Sequence, residues 1–304
     1  MAPTVLHFSD THNMHWSIEQ RFAIPEADIF VHTGDFTDHG SPEELESFVK
    51  WLQHIGGRFK HMLIIPGNHD WYTVRHLVGD GTMTVEEALA PGYYHRLLQS
   101  WGLPAHARVL DHEEVTVEGL RVFGSSWCPW NPCSRSDGFS ERHPGQKRMA
   151  HGWLQANKAE PEAGDQTLHR FGEIPDSVDI LLTHGPALHI MDCLGQPGRG
   201  WGSSRALRDH IQRSKPRIHL FGHLHEQRGV WKKGQGGYGG GVEYRAHPQA
   251  APFPTTGPPP ADYPCEIVAC NAMANHPGID GSKPYIAGPP RLLRIGQVIE
   301  VVSV

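Results

Sequence analysis

Short apolar runs alternate with amphipathic stretches through most of the chain, and several of the runs end abruptly at Asp, Asn or His. The clearest amphipathic stretch follows Ser41, a residue suited to an N-cap, with Pro42 at the first helical position and Glu44 completing a capping box. Apolar residues at helical spacing then cover one face, namely Leu45, Phe48, Val49, Leu52 and Ile55. Gly56 and Gly57 end the predicted helix.

The other apolar runs predict strands, because they are four to six residues long and are bounded by turn residues. The predicted strands are residues 5–8, 28–32, 62–65, a hairpin of 114–117 with 120–123, then 178–182, 217–221, 266–270 and an edge strand at 297–302. The order strand, helix, strand, helix, strand at the start predicts parallel strands joined by right-handed crossovers. We therefore predict an α/β fold.

At 304 residues the chain can form one large domain, and the regular alternation favours a single α/β unit over residues 1–304. Two stretches interrupt the pattern. Residues 229–264 are rich in Gly and then Pro, which predicts a flexible surface excursion within the domain. Residues 141–165 are polar with little apolar periodicity, which predicts a surface helix or insertion.

Charge and cysteine content narrow the class of protein. The formal net charge of −6 and the pI near 6.4 argue against a broad basic surface, so we expect no long nucleic acid as partner. Five cysteines without a CxxC pair favour reduced thiols. A strand begins directly after Met1, and no apolar run approaches the roughly 20 residues of a membrane span. These features predict a cytoplasmic protein without membrane contact, and they leave its oligomeric state open.

The stretch Gly67-Asn68-His69-Asp70 directly follows the strand at 62–65 and its Pro-Gly turn. Asn68 offers an amide oxygen as a metal ligand, and His69 can donate a proton near neutral pH. Asp70 is predicted to orient the His69 imidazole by accepting its other N–H. Taken alone, these four residues are equally consistent with an ordinary polar turn.

Five predicted strands end in this way, and the carboxyl ends of parallel strands meet at one edge of a sheet. The blocks are Asp10-x-His12, Gly34-Asp35, Gly67-Asn68-His69-Asp70, Thr183-His184-Gly185 and Gly222-His223-x-His225. They supply seven candidate metal ligands: Asp10, His12, Asp35, Asn68, His184, His223 and His225. Oxygen and imidazole ligands without thiolate suit two divalent ions such as Mn, Fe or Zn.

These blocks, in this order, resemble the calcineurin-like metallophosphoesterase superfamily from Asp10 to His225. A closer resemblance is to the metallophosphoesterase-domain group of class III cyclic-nucleotide-type phosphodiesterases. It rests on further stretches: residues 9–12, 32–37, 123–130, 180–186 and the pair Asn271-Ala272. The resemblance implies a four-layer αββα sandwich with a di-metal site at the carboxyl ends of the strands. This chain departs from that group in the 141–165 region and in the Gly/Pro-rich excursion, both of which are longer here.

Carried over residue by residue, the resemblance implies one metal on Asp10, His12, Asp35 and His225. It implies a second metal on Asp35, Asn68, His184 and His223, with Asp35 bridging. The expected function is hydrolysis of small phosphodiesters, cyclic nucleotides among them, by a hydroxide held between the two metals, for which Mn is favoured. His69 is the expected general acid.

Two aromatic residues in the loop after the hairpin, Trp127 and Trp130, can stack on a base or simply pack against the hairpin. Asn131 and Arg142 are further candidates for contacts with phosphate or ribose. Alternative functions also remain: a phosphomonoesterase or protein phosphatase on the same site, a nuclease, and a regulatory protein that binds nucleotide with little turnover. The fold alone does not choose among them.

Overall fold

The computed structural model describes residues 2–84, 87, 90–126, 170–194, 200–201, 204–234, 259–275 and 285–302. The helices are α1 (His15–Arg21), α2 (Pro42–Ile55), α3 (Tyr72–Gly79), α4 (Tyr93–Ser100) and α5 (Arg205–Ser214). Short 3₁₀ helices lie at Gly56–Arg58, Arg170–Glu173 and His225–Gln227. No helix in these described ranges is long and apolar enough to cross a membrane.

Two mixed six-stranded sheets form the centre of the fold. The first sheet has the order β16-β15-β1-β2-β3-β4, with strands β1 (Thr4–Phe8), β2 (Ala27–His32), β3 (Phe59–Ile64), β4 (Ala107–Val109), β15 (Arg291–Ile295) and β16 (Ile299–Val302). The second has the order β11-β12-β10-β7-β6-β5, with strands β5 (Glu113–Val117), β6 (Leu120–Ser125), β7 (Ile180–Thr183), β10 (Ile218–Phe221), β11 (Gly229–Lys232) and β12 (Ile267–Cys270). Two small hairpins pair β8 (Cys193–Leu194) with β9 (Gly200–Trp201) and β13 (Ala274–Asn275) with β14 (Tyr285–Ile286).

Each large sheet has four adjacent parallel strands, β1 to β4 in one and β6, β7, β10 and β12 in the other. Antiparallel strands extend the first sheet beyond β1 and the second sheet on both sides. The predicted parallel strands, the hairpin and the edge strand at the carboxyl end are confirmed. The parallel arrangement matters for function because it brings the carboxyl ends of the central strands to one side of each sheet.

Side-chain alternation along the strands produces three apolar layers. In β1, Leu6 and Phe8 face a core shared with α1, α2 and α4, whereas Val5 faces a core between the two sheets. In the second sheet, Leu182 faces the same inter-sheet core and Leu181 faces a third core that includes α5. Successive side chains of a strand point to opposite faces of its sheet, so these buried residues show that both faces of each sheet are covered by other parts of the chain. The predicted four-layer αββα sandwich is confirmed.

The strongest helix prediction is also confirmed in detail. Ser41 accepts from the Glu44 backbone N–H at 3.3 Å, and the Glu44 carboxylate accepts from the Ser41 N–H at 3.2 Å, which completes the capping box. Pro42 begins α2 and Ile55 ends it. The buried face of α2 carries the five predicted apolar residues and Trp51 in addition.

The structure corrects the predicted Gly/Pro-rich excursion at both ends. Gly229–Lys232 is the edge strand β11, paired antiparallel with β12, so the segment does not begin at residue 229. Tyr263 is fully buried in the third core, so the segment is already ordered before residue 264. Residues 235–258, and the predicted insertion at 141–165, lie outside the described residues.

Candidate metal centre

The loops that follow β1 and β2 are joined by backbone hydrogen bonds at the edge of the first sheet. The Asp10 N–H donates to the Gly34 carbonyl at 2.8 Å, and the His12 N–H donates to the Asp35 carbonyl at 3.0 Å. These two loops therefore form one unit that carries three of the seven candidate ligands. We call the edge at which all five polar blocks meet the rim.

Four of the candidate ligands have left-handed backbone conformations: φ is 50° at Asp10, 41° at His12, 55° at Asp35 and 64° at His223. Non-glycine residues rarely occupy this region, and each such residue costs on the order of 1–3 kcal/mol when the conformation is strained. The concentration of this conformation at the ligand positions directs their side chains inward from the rim.

The first ligand group consists of Asp10, His12 and His225, whose ligand atoms all lie within 4.8 Å of one another. His225 Nε2 lies 3.3 Å from His12 Nε2 and 3.3 Å from Asp10 Oδ1. The ring of His12 is oriented from behind, since its Nδ1 lies 3.5 Å from Asp38 Oδ1. This arrangement leaves the Nε2 lone pair facing the other two ligands, as in many histidine metal sites.

The second ligand group contains Asp35, His184 and His223, also within 4.8 Å of one another. Asn68 belongs with them, because its Oδ1 lies 2.9 Å from His184 Nε2. His184 Nδ1 donates to the Thr33 carbonyl at 2.7 Å, so Nε2 is the ring atom that faces the other candidate ligands. That atom lies 3.2 Å from Asp35 Oδ2, which brings a ring nitrogen, an amide oxygen and a carboxylate oxygen together.

This convergence of acceptors is the structural test of whether the residues suit a cation. Acceptors facing one another repel unless a proton or a positive ion lies between them. His223 adds a second sign, because its Nε2 is buried and has no hydrogen-bond partner. The Asp35 carboxylate connects the two groups, with Oδ2 at 3.9 Å from His12 Nε2. The residues present therefore fit two adjacent divalent ions with Asp35 between them.

The electrostatics of the site agree with this fit. Burial lowers the pKa of His12 to about 4 and that of His223 to about 3, so both rings are neutral and keep lone pairs for a cation. Burial would also lower the pKa of His184, but the charge and hydrogen bond of Asp35 raise it to about 9, so at neutral pH a proton lies on this ring where a cation would otherwise lie. Burial acts in the opposite direction on Asp10, whose pKa is nevertheless held below its usual value by His225.

Two glycines allow the ligand loops to approach this closely. A Cβ on Gly67 would overlap Asp35 Oδ1 and the Asp35 backbone nitrogen. A Cβ on Gly222 would overlap Asp10 Oδ2 and Ser9 Oγ. The glycines in the Gly-Asn-His-Asp and Gly-His-x-His blocks are thus required by close packing around the ligand carboxylates.

The predicted role of Asp70 is wrong. Its carboxylate accepts from the backbone N–H groups of Gly67, Asp35 and Thr37, each at 2.8 Å, and from the Thr37 hydroxyl at 2.8 Å. Burial and the nearby Asp35 carboxylate raise the pKa of Asp70 to about 8, and the amide donors oppose that rise. Asp70 therefore holds the loop after β2 in place, a task that its position next to His69 in the sequence did not reveal.

His69 is instead oriented by Asp38. Its Nδ1 donates to the Asp38 carbonyl at 2.6 Å and lies 3.9 Å from Asp38 Oδ1. The imidazole packs edge-on against His12, with ring centroids 4.8 Å apart, so it stands beside the first ligand group. Asp38 was missed by the sequence analysis, and the only available signal was its place three residues after Asp35 in the same polar block.

Comparison with known proteins now adds to the geometry. The profile of the family described as calcineurin-like phosphoesterase matches residues 3–227. This chain belongs to the calcineurin-like phosphoesterase family. The match spans both ligand groups, which come from the five blocks identified in the sequence.

Relatives of this chain include Metallophosphoesterase domain-containing protein 1 of Homo sapiens, 31% identical over 232 residues that cover 74% of this chain and 61% of that protein. A UPF0046 protein of Caenorhabditis elegans is 28% identical over 231 residues, which cover 76% of this chain and 66% of the nematode protein. The chain thus spans somewhat less than two thirds of the length of these relatives. A solved crystal structure aligns over 99% of both chains with a TM-score of 0.50 and 13% identity, a likeness of fold alone.

The remaining predicted site residues lie outside the described part of the chain. Trp127, Trp130, Asn131 and Arg142 all fall between residues 126 and 170. The end of β6, from which that segment begins, pairs with β7 at Ser125 and Thr183. The segment therefore starts next to the His184 block, and the contacts predicted for its side chains remain predictions.

Proposed function

We propose that this protein is a metal-dependent phosphodiesterase acting on small phosphodiesters, cyclic nucleotides among them. The observation that carries the proposal is the pair of ligand groups connected by Asp35, in which imidazole nitrogens converge on carboxylate and amide oxygens. Membership of the phosphoesterase family supplies the reaction class. The names of the human and nematode relatives above state no substrate, so the preference for diesters rests on the resemblance of residues 123–130 and 180–186 to the class III group.

In this proposal the chain itself holds the cofactors, orients the substrate and moves a proton. Asp10, His12, His225 and Asp35 would hold one divalent ion, and Asp35, Asn68, His184 and His223 would hold the other. Bound at neighbouring sites, two divalent ions, for which we favour Mn, would lower the pKa of water and neutralise charge on the phosphoryl group.

His69 would donate the proton that the leaving oxygen requires. Its Nδ1–H is fixed on the Asp38 carbonyl, which leaves the opposite ring nitrogen to face the substrate side. Asp38 Oδ1 lies 3.9 Å from the same nitrogen and so adds to the fixed orientation of the ring.

The test is hydrolysis of bis(p-nitrophenyl) phosphate compared with p-nitrophenyl phosphate by the purified protein, with added Mn and with chelator. We expect turnover of the diester, at a higher kcat/KM than for the monoester, that is abolished by chelator and by Asp35→Asn. The matched control is Glu118→Gln, a carboxylate change at the opposite end of the sheets that should leave the rate unchanged.

Faster turnover of the monoester would replace the proposal with a phosphomonoesterase. Two bound metal ions with turnover of neither ester, together with tight binding of a nucleoside monophosphate, would replace it with a regulatory binding protein.

A further inference from the structure

After β12 the chain leaves the second sheet and runs along the metal-ligand loop of the first. Ser9 and Ala272 form a parallel bridge, and the Met273 and Ala274 N–H groups donate to the Ser9 and Asp10 carbonyls at 3.0 and 2.9 Å. We call residues 271–274 the crossing segment. It lies against the loop after β1 that carries Asp10, which we call the Asp10 loop. The second sheet also reaches this loop through the His223 N–H, which donates to the Asp10 carboxylate at 3.0 Å.

Asn271 begins the crossing segment and connects the two sheets by itself. Its backbone N–H donates to the Phe221 carbonyl at 3.0 Å, at the end of β10. Its side-chain Nδ2 donates to the His7 carbonyl in β1. Phe221 directly precedes the Gly222-His223 block and His7 lies three residues before Asp10, so Asn271 joins the strands that lead into both halves of the rim.

Arg228 fixes the orientation of the Asn271 amide. Its Nη1 donates to Asn271 Oδ1 and to the Ala272 carbonyl, and its Nη2 donates to the Pro289 carbonyl. A guanidinium can only donate, so the amide atom facing it must be oxygen, and Nδ2 is thereby directed at His7. Arg228 is fully buried, and it follows the His225–Gln227 turn, with its own N–H 3.4 Å from the His225 carbonyl.

A buried guanidinium is costly to desolvate, and bonds to backbone and amide oxygens recover only part of that cost. The position of this arginine suggests that it has a role in function. It connects the turn that carries His225 to the segment that holds Asp10, and these are two of the three residues in the first ligand group. Separation of those two residues by a few tenths of an ångström would spoil their shared coordination.

We infer that Arg228 and Asn271 are positioning residues that hold the Asp10 loop against the His225 turn and so set the affinity of the first ligand group for its cation. The inference rests on the proposed di-metal function. Residues that orient metal ligands from behind typically change metal affinity by about 10–100-fold when altered. The second ligand group has a further anchor in the bond from His184 to the Thr33 carbonyl, and it should be affected less.

The variant Asn271→Asp isolates one contact. Aspartate has the same shape and can still accept from Arg228, but it has no donor for the His7 carbonyl. The variant Arg228→Lys keeps the buried charge but loses the fork that serves three acceptors at once. The matched control is Arg217→Lys, because Arg217 also joins the two sheets, through Glu266 at 2.8 Å and the Gly296 carbonyl at 3.0 Å, at the opposite end of the strands.

The experiment is a titration of the chelator-treated full-length proteins with Mn²⁺, in which free Mn²⁺ and the spin-coupled pair are followed by electron paramagnetic resonance. We expect wild type and Arg217→Lys to bind two ions with the same isotherm. In Asn271→Asp and Arg228→Lys, one of the two binding steps should weaken by about 10-fold or more. The coupled signal should then require more Mn²⁺, and kcat should recover at saturating Mn²⁺.

Equal isotherms for wild type and both variants would overturn the inference, even if the variants unfold at a lower temperature. Wild-type protein that binds no Mn²⁺, Fe²⁺ or Zn²⁺ would overturn the proposed function itself, and the inference with it. If neither variant folds, the Mn²⁺ isotherm of a third variant, Gly288→Ala, tests the inference. A Cβ there would lie 2.8–3.1 Å from the Arg228 guanidinium and would displace it without removing it, so an unchanged isotherm for Gly288→Ala would also overturn the inference.

Discussion

The two ends of the same parallel strands carry charged residues in opposite arrangements. At the amino ends, Lys60 lies 2.7 Å from Asp28 and 3.1 Å from Glu118, and Arg217 lies 2.8 Å from Glu266. These groups are partly or largely exposed, and each positive charge has a carboxylate partner. At the carboxyl ends, Asp10 and Asp35 are buried, and imidazole nitrogens lie 3.3 Å and 3.2 Å from their carboxylates.

The difference shows how a candidate cation site can be recognised from the protein's own side chains. Ion pairs at the amino ends are complete within the protein, so nothing more is required there. At the rim, burial and converging acceptors leave an electrostatic demand that only a proton or a metal ion can meet. Positive φ angles occur at both ends, but Glu118 and Lys215 occupy a hairpin turn and a helix C-cap, whereas four of those at the rim are at candidate ligands.

The largest expected effect is at the shared ligand. Asp35→Asn should lower diesterase activity by at least roughly 100-fold and reduce bound metal, because Asp35 lies between both ligand groups. The measurement is metal content by mass spectrometry together with the rate at saturating substrate. Glu118→Gln at the amino ends should keep both. Full metal content and activity in Asp35→Asn would remove the distinction between the two ends.

The proton donor provides the next test, because it belongs to the rim without being proposed as a ligand. His69→Ala should lower kcat by roughly 10²–10⁴-fold while both metal ions stay bound. Asp38→Asn keeps the backbone carbonyl that receives His69 Nδ1 and removes only the carboxylate, so a smaller loss of roughly 10–100-fold is expected. Exposed His39, 3.7 Å from the same carboxylate, supplies the control variant His39→Ala. Loss of metal together with rate in His69→Ala would mean that His69 is a ligand.

Close packing at the rim gives a third, smaller effect. Gly222→Ala places a methyl group against Asp10 and Ser9 and should destabilise the fold by about 1–3 kcal/mol, with weaker metal binding. Gly57→Ala is the matched control, because a Cβ there meets nothing within 4 Å. Chemical unfolding with and without Mn²⁺ measures both. Equal stabilities for the two variants would show that the rim tolerates expansion as readily as the surface does.

The sequence predicted features that depend on neighbouring residues, and it missed those that depend on residues far away in the chain. The strand ends were predictable because apolar runs stop at the rim, and the capping box of α2 was predictable because it is local. Asp70 was misassigned because its donors come from residues 35–37, thirty or more positions away. Strand β15 and the crossing segment were missed because their partners, β1 and the Asp10 loop, lie at the other end of the chain.

Just beneath the rim, His219 provides a pH-dependent test. The Thr183 hydroxyl uses its one hydrogen to donate to the Gly185 carbonyl at 2.7 Å. His219 Nε2, 2.8 Å from Thr183 Oγ1, must therefore be the donor in the bond between those two atoms. Burial lowers the pKa of His219 to about 3, against about 6.5 when unfolded. The unfolded state therefore binds more protons, and the stability contributed by the neutral ring is complete above pH 6.5 and is lost as pH falls towards 3.

The corresponding variant is His219→Gln, which has a donor but does not titrate. Between pH 7 and pH 5 the wild type should lose about 2 kcal/mol more stability than the variant, since one pH unit corresponds to about 1.4 kcal/mol for one proton. Urea unfolding at the two pH values gives the difference. The buried His15 and His32 remain in both proteins and cancel in the comparison. Equal losses in the two proteins would mean that His219 is protonated in the folded state.

The smallest effect should come from the amino ends, where the ion pairs are exposed. Lys60→Met removes a side chain that is 61% exposed and contacts Asp28 and Glu118, both of which remain hydrated afterwards. Solvent and salt screen such pairs, so the melting temperature should fall only slightly, and the difference from wild type should disappear in about 1 M salt. Metal affinity should be unchanged. A loss of metal binding in Lys60→Met would mean that the two ends are coupled through the sheets, and the independence of the rim would then be wrong.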